Sequence, residues 1–404
     1  MANSTVTIDM VTREALRIAH EKCQFIGSVD RQYDDSYAKT GAKIGSALRV
    51  RRPNQYTRTT GSRVMDVQDQ AELSGTITVA TQDHVDMRFN SAELALSIDE
   101  ISKRYIEPAM SVLVSGIESD FIAASTKAVY NVAGSAGTPP TDLVAVGAAR
   151  AKLNQYLAPK DGNRFIQCDS VTMGGMVNGL KGLFQDSGQI KEQYREGMIG
   201  RTSMADWYEN DRMWTLTNGS DVTGTCDAAS LATDGGSTLD MHGTIAVTAN
   251  VVGSVFTVAG VYACHPETKA AYSSLQQFTI TAIGASTVTV SPTMYWTGPR
   301  KNVVTSSGGT VSAATFNSAT LTFVGAASTS YAQNLMYHKE AFQLVTADLP
   351  IMDDAAKCVR RNQDGLSLRV WQASDIRNDE LLMRIDILYG YAALRPEWAC
   401  RISS

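Results

Sequence analysis

MSVLVSGIESDFIAASTKAVY, residues Met110 to Tyr130, sets Met110, Leu113, Val114, Ile117, Phe121, Ala124 and Ala128 at the i, i+3, i+4, i+7 spacing of one helix face. At roughly 1.5 Å per residue a helix running from Pro108 to Tyr130 is about 35 Å long. One apolar stripe on so long a rod predicts that it lies across a sheet. Pro108 interrupts any preceding helix and suits the first turn of a new one. Upstream, Ser97 and Glu100 match a capping box, S-x-x-E, which opens a short helix.

Strands that can supply the sheet come late in the chain. FQLVTADLP, LSLRVWQAS and ELLMRIDILYGYAAL read as extended. In the last, Met383, Ile385, Ile387 and Tyr389 share one face, with Arg384 and Asp386 on the other. Before the long helix lie a short amphipathic helix, Val11 to Cys23, and a polar segment, DRQYDDSYAKTG, that together read as an arm. Two extended stretches follow, Ala42 to Pro53 and Gly75 to Phe89.

The polar residues between those stretches form either a surface loop or a long hairpin that leaves its own subunit and lies on a neighbour; connections of such length are often functional. Arg49, Arg51, Arg52, Arg58 and Arg63 precede Asp66, Asp69 and Glu72. Opposite charges on one projecting segment set register against adjacent copies, so these eight residues are the candidates for contact between subunits.

After the long helix, NVAGSAGTPP breaks the chain. A helix from about Thr141 to Leu157 turns Leu143, Val146, Leu153 and Leu157 inward, RFIQCDS is a buried strand, and VTMGGMVNGLKGLF is a glycine-weakened helix. From Asn218 to Leu335 only Asp221, Asp227, Asp234, Asp240, Glu267, Lys269, Arg300 and Lys301 are charged, in a chain with 36 basic and 41 acidic residues. Short Thr/Val strands repeat through this block (TIAVTANVV, VFTVAGVYA, FTITAI, TVTVSP, ATLTFVG), the pattern of a small barrel or sandwich inserted into an α/β frame.

The chemistry-bearing residues are dispersed. Cys264 and His265 are adjacent in an extended run, so they point to opposite faces and do not form a nucleophile-base couple. His20 and Cys23 have i, i+3 spacing but no second pair completes a zinc set. Asp353-Asp354 has no partner motif. GGST at Gly235 and SGGT at Ser307 lack the lysine of a phosphate loop. The expectation is a non-enzyme without metal or cofactor. A net charge of -5 lacks the basic excess of a dedicated nucleic-acid binder. No run of about 18 uncharged apolar residues spans a membrane. The start lacks a secretion signal, and six scattered cysteines read as reduced thiols.

Three stretches carry a family resemblance: IKEQYREGMIGRTSMADWYEND (Ile190 to Asp211), VFTVAGVYACHPETKAAYSSLQQFTITA (Val255 to Ala282) and RIDILYGYAALRPEWACRI (Arg384 to Ile402), the last with Tyr389-Gly390 and Arg395-Pro396-Glu397 in place. The chain resembles the major capsid proteins of tailed double-stranded DNA bacteriophages, with their α+β Hong Kong 97-type fold. Within that group it is most similar to the coat proteins of short-tailed Salmonella-type phages, which carry an inserted domain.

The resemblance implies an N-terminal arm at 1–40, an extended loop at 41–90 and the spine helix of a peripheral domain at 91–135. It further implies an axial domain at 136–217, an inserted β-barrel at 218–335, an axial return strand at 336–350 and the peripheral sheet at 351–404. It implies hexamers and pentamers in an icosahedral shell around double-stranded DNA, which is enclosed without specific binding. A separate scaffolding protein and a portal protein would be partners, and assembly would take place in the host bacterial cytoplasm. The rival readings are a β-rich surface or carbohydrate-binding adhesion protein, a phage tail or head-decoration protein, and an enzyme with a lectin-like insert.

Overall fold

The computed structural model describes residues 8–34, 47–61, 65, 67, 73–90, 102–180, 199–227, 233–242, 250–285, 287–351, 357–363, 365–375, 377–378 and 380–404. The Ser97–Glu100 capping box and Asp353-Asp354 lie outside them. The fold is mixed α/β and divides into two compact units. One comprises Met1–Val50, Gly75–Phe121 and Phe342–Leu394, the other Arg51–Ser74, Ile122–Ala341 and Arg395–Ser404.

The long helix, Glu107–Ala128, of which the part up to Phe121 belongs to the first unit, follows a π-helical turn at Ser102–Ile106, so Pro108 sits within its first turn. Met110, Leu113, Val114, Ile117 and Phe121 are buried. Together with Leu344, Leu366, Leu368, Ile387 and Tyr389, the first four of them line one apolar pocket, so this part of the helix lies on a sheet. That sheet runs Asp30–Asp34, Phe342–Ala347, Glu380–Ala393, Leu366–Asp375, Lys357–Gln363, with Thr81–Asn90 also paired to Glu380–Ala393.

Helix Ile8–Lys22 buries Val11, Ala15, Leu16, Ile18 and Ala19 and packs on the strands Lys357–Gln363 and Leu366–Asp375. Arg361 pairs with Asp9 at 2.6 Å. Asp30–Asp34 is no polar tether but a strand parallel to Phe342–Ala347. An apolar helix face finds its burial on the nearest open sheet, and here that sheet belongs to its own chain.

The 41–90 loop is shorter than expected. Its return stretch breaks after Thr78, and Thr81–Asn90 joins the sheet, Thr81 opposite Tyr389 and Asn90 opposite Glu380. Finally, Phe342–Ala347 belongs to this helix-bearing sheet and not to an axial return strand.

The second unit holds two sheets. In one, Val132–Ala133, Ala399–Ser403, Ser330–His338, Arg164–Cys168, Ala205–Glu209 and Arg201–Thr202 lie in that order, with Thr215–Thr217 also on Ser330–His338. The segment 395–404 therefore leaves the peripheral sheet assigned to 351–404: Pro396 starts a 3-10 turn, and the chain re-enters as a strand of this other sheet. Helices Leu143–Gln155 and Ser170–Leu180 cover it with Val146, Ala149, Leu153, Met173, Met176 and Leu180. Asp142 caps the first, accepting Val144 N–H at 2.9 Å. Leu157 is not inward; it ends the helix in left-handed backbone at φ 60 and is 40% exposed. Gly179 of the second helix has a steric reason, since a Cβ there would stand 1.6 Å from the Thr141 carbonyl oxygen.

The other sheet is a barrel. Its strands Ala271–Ile283, Thr287–Met294, Gly236–His242, Thr223–Asp227, Ala319–Phe323 and Val255–Cys264 are antiparallel, and the last pairs back onto the first to close the ring; Val303–Val304 adds to Val255–Cys264. Its core is self-contained, built on Phe256, Val258, Phe278, Ile280, Val288, Val290, Phe316 and Leu321. The barrel strands end at Phe323, so Ser330–His338, whose first six residues fall in the expected 218–335 block, belongs to the neighbouring sheet.

Candidate functional site

A two-stranded ribbon, Ala47–Arg52 with Leu73–Thr78, pairs with no strand of the three larger sheets among the described residues. Its period-2 pattern sorts its residues: Leu48 and Val50 pack with Ile77, Val79, Val345, Ala347, Leu349 and Leu388, while Arg49 and Arg51 face out. Beyond the strands Arg58 is exposed, as are Tyr56 at 56%, Met65 at 86% and Val67 at 76%.

Of the eight candidate contact residues, Arg49, Arg51 and Arg58 are exposed on the ribbon. Arg63, Asp66, Asp69 and Glu72 lie outside the described residues. Arg52 Nη1 lies 3.9 Å from Glu397 Oε1 of its own chain, and both side chains are about one-third exposed. Burial pushes the Glu397 carboxyl up, and Arg52 pulls it back.

The closing segment explains how the foot of the ribbon is held. Gly390 lies beneath the bend at Thr78-Val79; a Cβ there would stand 2.2 Å from Thr78 O and 2.9 Å from Val79 Cα. Only glycine lets the two backbones approach so closely. Next to it Tyr389 donates its hydroxyl to Asp83 Oδ2 at 2.7 Å, and burial drives that phenol above its ordinary range. Arg384 Nε donates to Asp86 Oδ1 at 2.7 Å, and Arg88 pairs with Glu380 at 3.0 Å.

The Arg384 bond holds the Asp86 carboxyl below its ordinary value. The contribution of that bond is therefore complete above the ordinary aspartate pKa and is lost as pH falls through the lowered one. Asp386, on the face opposite the apolar stripe, is not solvated: it is fully buried against Arg369. Alternation read from sequence missed this, although a glycine in mid-strand already signals close backbone approach. Gly390→Ala is expected to cost about 1–3 kcal/mol, seen as faster hydrogen exchange at Ile77–Val79; unchanged exchange there would remove the close-approach argument.

The reactive residues have structural roles. Cys264 is buried, and its thiol donates to Lys301 O at 3.3 Å, while burial raises its pKa. His265 Nδ1 instead accepts the backbone N–H groups of Glu267 and Thr268 at 3.1 and 3.2 Å, closing a turn. His338, also buried, lies 3.0 Å from Asp161 through Nε2 and accepts Glu340 N–H at Nδ1. All six cysteines are free thiols. Cys264 is expected to react with a disulfide reagent at least a hundredfold more slowly in the folded protein than in urea, because the thiolate is the nucleophile and burial disfavours it. Among the described residues no three His, Cys, Asp or Glu side chains form a metal-binding group, and no helix is long and apolar enough to cross a membrane.

The family profile described as "P22 coat protein - gene protein 5" matches residues 23–401. No curated protein sequence matches the chain. Among solved structures, a chain from Mycobacterium phage Che8 is 11% identical with a TM-score of 0.47, covering 94% of this chain and 90% of that one. A chain titled "Capsid structure of the Cyanophage P-SCSP1u" is 10% identical with a TM-score of 0.45, covering 93% and 86%. One titled "Capsid of empty GTA particle computed with C5 symmetry" is 9% identical with a TM-score of 0.44, covering 100% and 94%. The family match over nearly the whole length, not these distant likenesses, carries the assignment: the chain belongs to the P22 coat protein family and is a major capsid protein, a structural subunit of a phage head.

Proposed function

We propose that this coat protein builds an icosahedral shell of hexamers and pentamers around packaged double-stranded DNA, using a Hong Kong 97-type subunit with the barrel as its inserted domain. The ribbon is the observation that carries this reading: its foot is fixed on its own chain, while Tyr56, Met65, Val67, Arg49 and Arg58 are exposed. Weak contacts between copies, repeated on every subunit, give a stable shell by avidity. The net charge of -5 suits a wall that encloses DNA without gripping it. In the same reading a separate scaffolding protein and a portal protein take part, and assembly proceeds in the host cytoplasm.

Deleting residues 54–72, which spares the strand Leu73–Thr78, is expected to leave the monomer's unfolding midpoint unchanged and to reduce shell yield at least tenfold. Electron microscopy and sedimentation, with and without a scaffolding partner, measure both. Wild-type shell yield from the deletion variant would overturn the assignment of the ribbon.

A further inference from the structure

We infer that Arg401 is a pin that couples docking of the barrel to the last turn of the long helix. Arg401 is fully buried on strand Ala399–Ser403. Its Nη1 donates to Gly253 O at 2.6 Å, at the entrance to the barrel strand Val255–Cys264. Its Nη2 donates to Thr279 Oγ1 at 3.1 Å and to Lys127 O at 3.2 Å. Thr279 in turn donates its hydroxyl to Lys127 O at 3.0 Å. The acceptors are carbonyl and hydroxyl oxygens, not a carboxylate. Lys127 lies in the final turn of Glu107–Ala128, where the helix dipole presents its negative end, and that end supplies the counter-charge a buried cation needs.

Beside Val132, Leu216, Val255 and Val324, which line a pocket with Arg401, the seat holds further polar contacts. The Gln277 side chain binds Val132 twice, accepting its N–H at 3.0 Å and donating to its carbonyl at 3.1 Å, as a strand residue would. Tyr156 donates to Gln276 Oε1 and Tyr272 to Gln155 O, each at 3.1 Å. Both cations lie near the Trp214 ring, whose centroid is 5.3 Å from Lys127 Nζ and 5.9 Å from the Arg401 guanidinium.

The apolar cores do not mix across this seat. The barrel cluster is drawn from residues 222 to 323, and the cluster of the adjoining sheet contains none of them. A polar seat between two complete cores is a contact that opens without unfolding either side. Opening requires Arg401 to give up the helix terminus, so the barrel stays docked only while the last turn is helical. In a shell, which is the reading proposed above, this lets one sequence meet several local geometries by moving the barrel while its core stays intact.

The test is hydrogen exchange on the unassembled full-length chain, so it is independent of shell formation. Arg401→Met should speed exchange at least tenfold across residues 127–133 and 253–254, with Phe256–Val258 and Ala319–Phe323 at wild-type rates. The double variant Gln277→Leu, Thr279→Val removes the seat from the barrel side and should give the same pattern; it carries the test if Arg401→Met does not fold. Wild-type exchange at the seat in the double variant, or equal acceleration of seat and barrel core, overturns the pin. Failure of the wild-type chain to form shells would count against the shell reading and leave the pin standing.

Discussion

Asp386→Ala is expected to destabilise the first unit by about 3–5 kcal/mol, because it leaves a buried guanidinium without its counter-charge. Arg369 and Asp386 have side chains 4% and 0% exposed and meet through two N–H···O bonds, Nε to Oδ1 at 3.0 Å and Nη2 to Oδ2. Gln82 Nε2 adds a donor to Asp386 at 3.1 Å, and Arg369 Nη1 reaches Pro350 O at 2.7 Å. Removing the carboxylate strands the cation between Glu380–Ala393 and Leu366–Asp375, where water does not reach. The double variant Arg369→Met, Asp386→Leu removes both charges and should recover most of the loss, since matched apolar pairs at such sites are often neutral or better. Urea unfolding, with hydrogen exchange on those two strands, measures both. A single-variant loss under about 1 kcal/mol would show that the pair is hydrated.

Phe278→Ala should cost about 3–5 kcal/mol, the range for deleting a fully buried aromatic ring. Phe278 is fully buried, with its ring 5.9 Å from Phe256, which lies 5.2 Å from Phe323. Because the barrel core is its own, the loss should fall on the barrel: exchange rises across Val255–Phe323 while helix Leu143–Gln155 and its sheet keep their protection. Equal loosening of both would mean that the two cores unfold as one.

The same separation of cores explains what could be read from the residues. The stripe from Met110 to Phe121 and the alternation from Met383 to Tyr389 are local periodicities, and each is buried as its period requires. The charge-poor block was legible because a closed barrel of Thr/Val strands needs few ions. Pairing was not legible. Phe342–Ala347 is buried at every position, so no alternation in its pattern says which sheet accepts it, and it lies between Asp30–Asp34 and Glu380–Ala393. At the candidate site, Arg49, Arg51 and Arg58 were legible as outward charges, but the capture of Arg52 by Glu397 was not, because the two are brought together only by folding.

Local periodicity and composition, which depend on neighbours within a few positions, determined that this chain has a long one-faced helix, an alternating closing strand, a sparsely charged β-block and a charged stretch from Arg49 to Glu72. The tertiary structure decided the rest: the arm lies on its own sheet, the closing segment divides between two sheets at Pro396, Asp386 and Arg401 are buried, and Gly390 admits the backbone of Thr78. These depend on contacts between residues far apart in the chain, where hydrogen-bond pairing and close packing, not side-chain period, choose the partner.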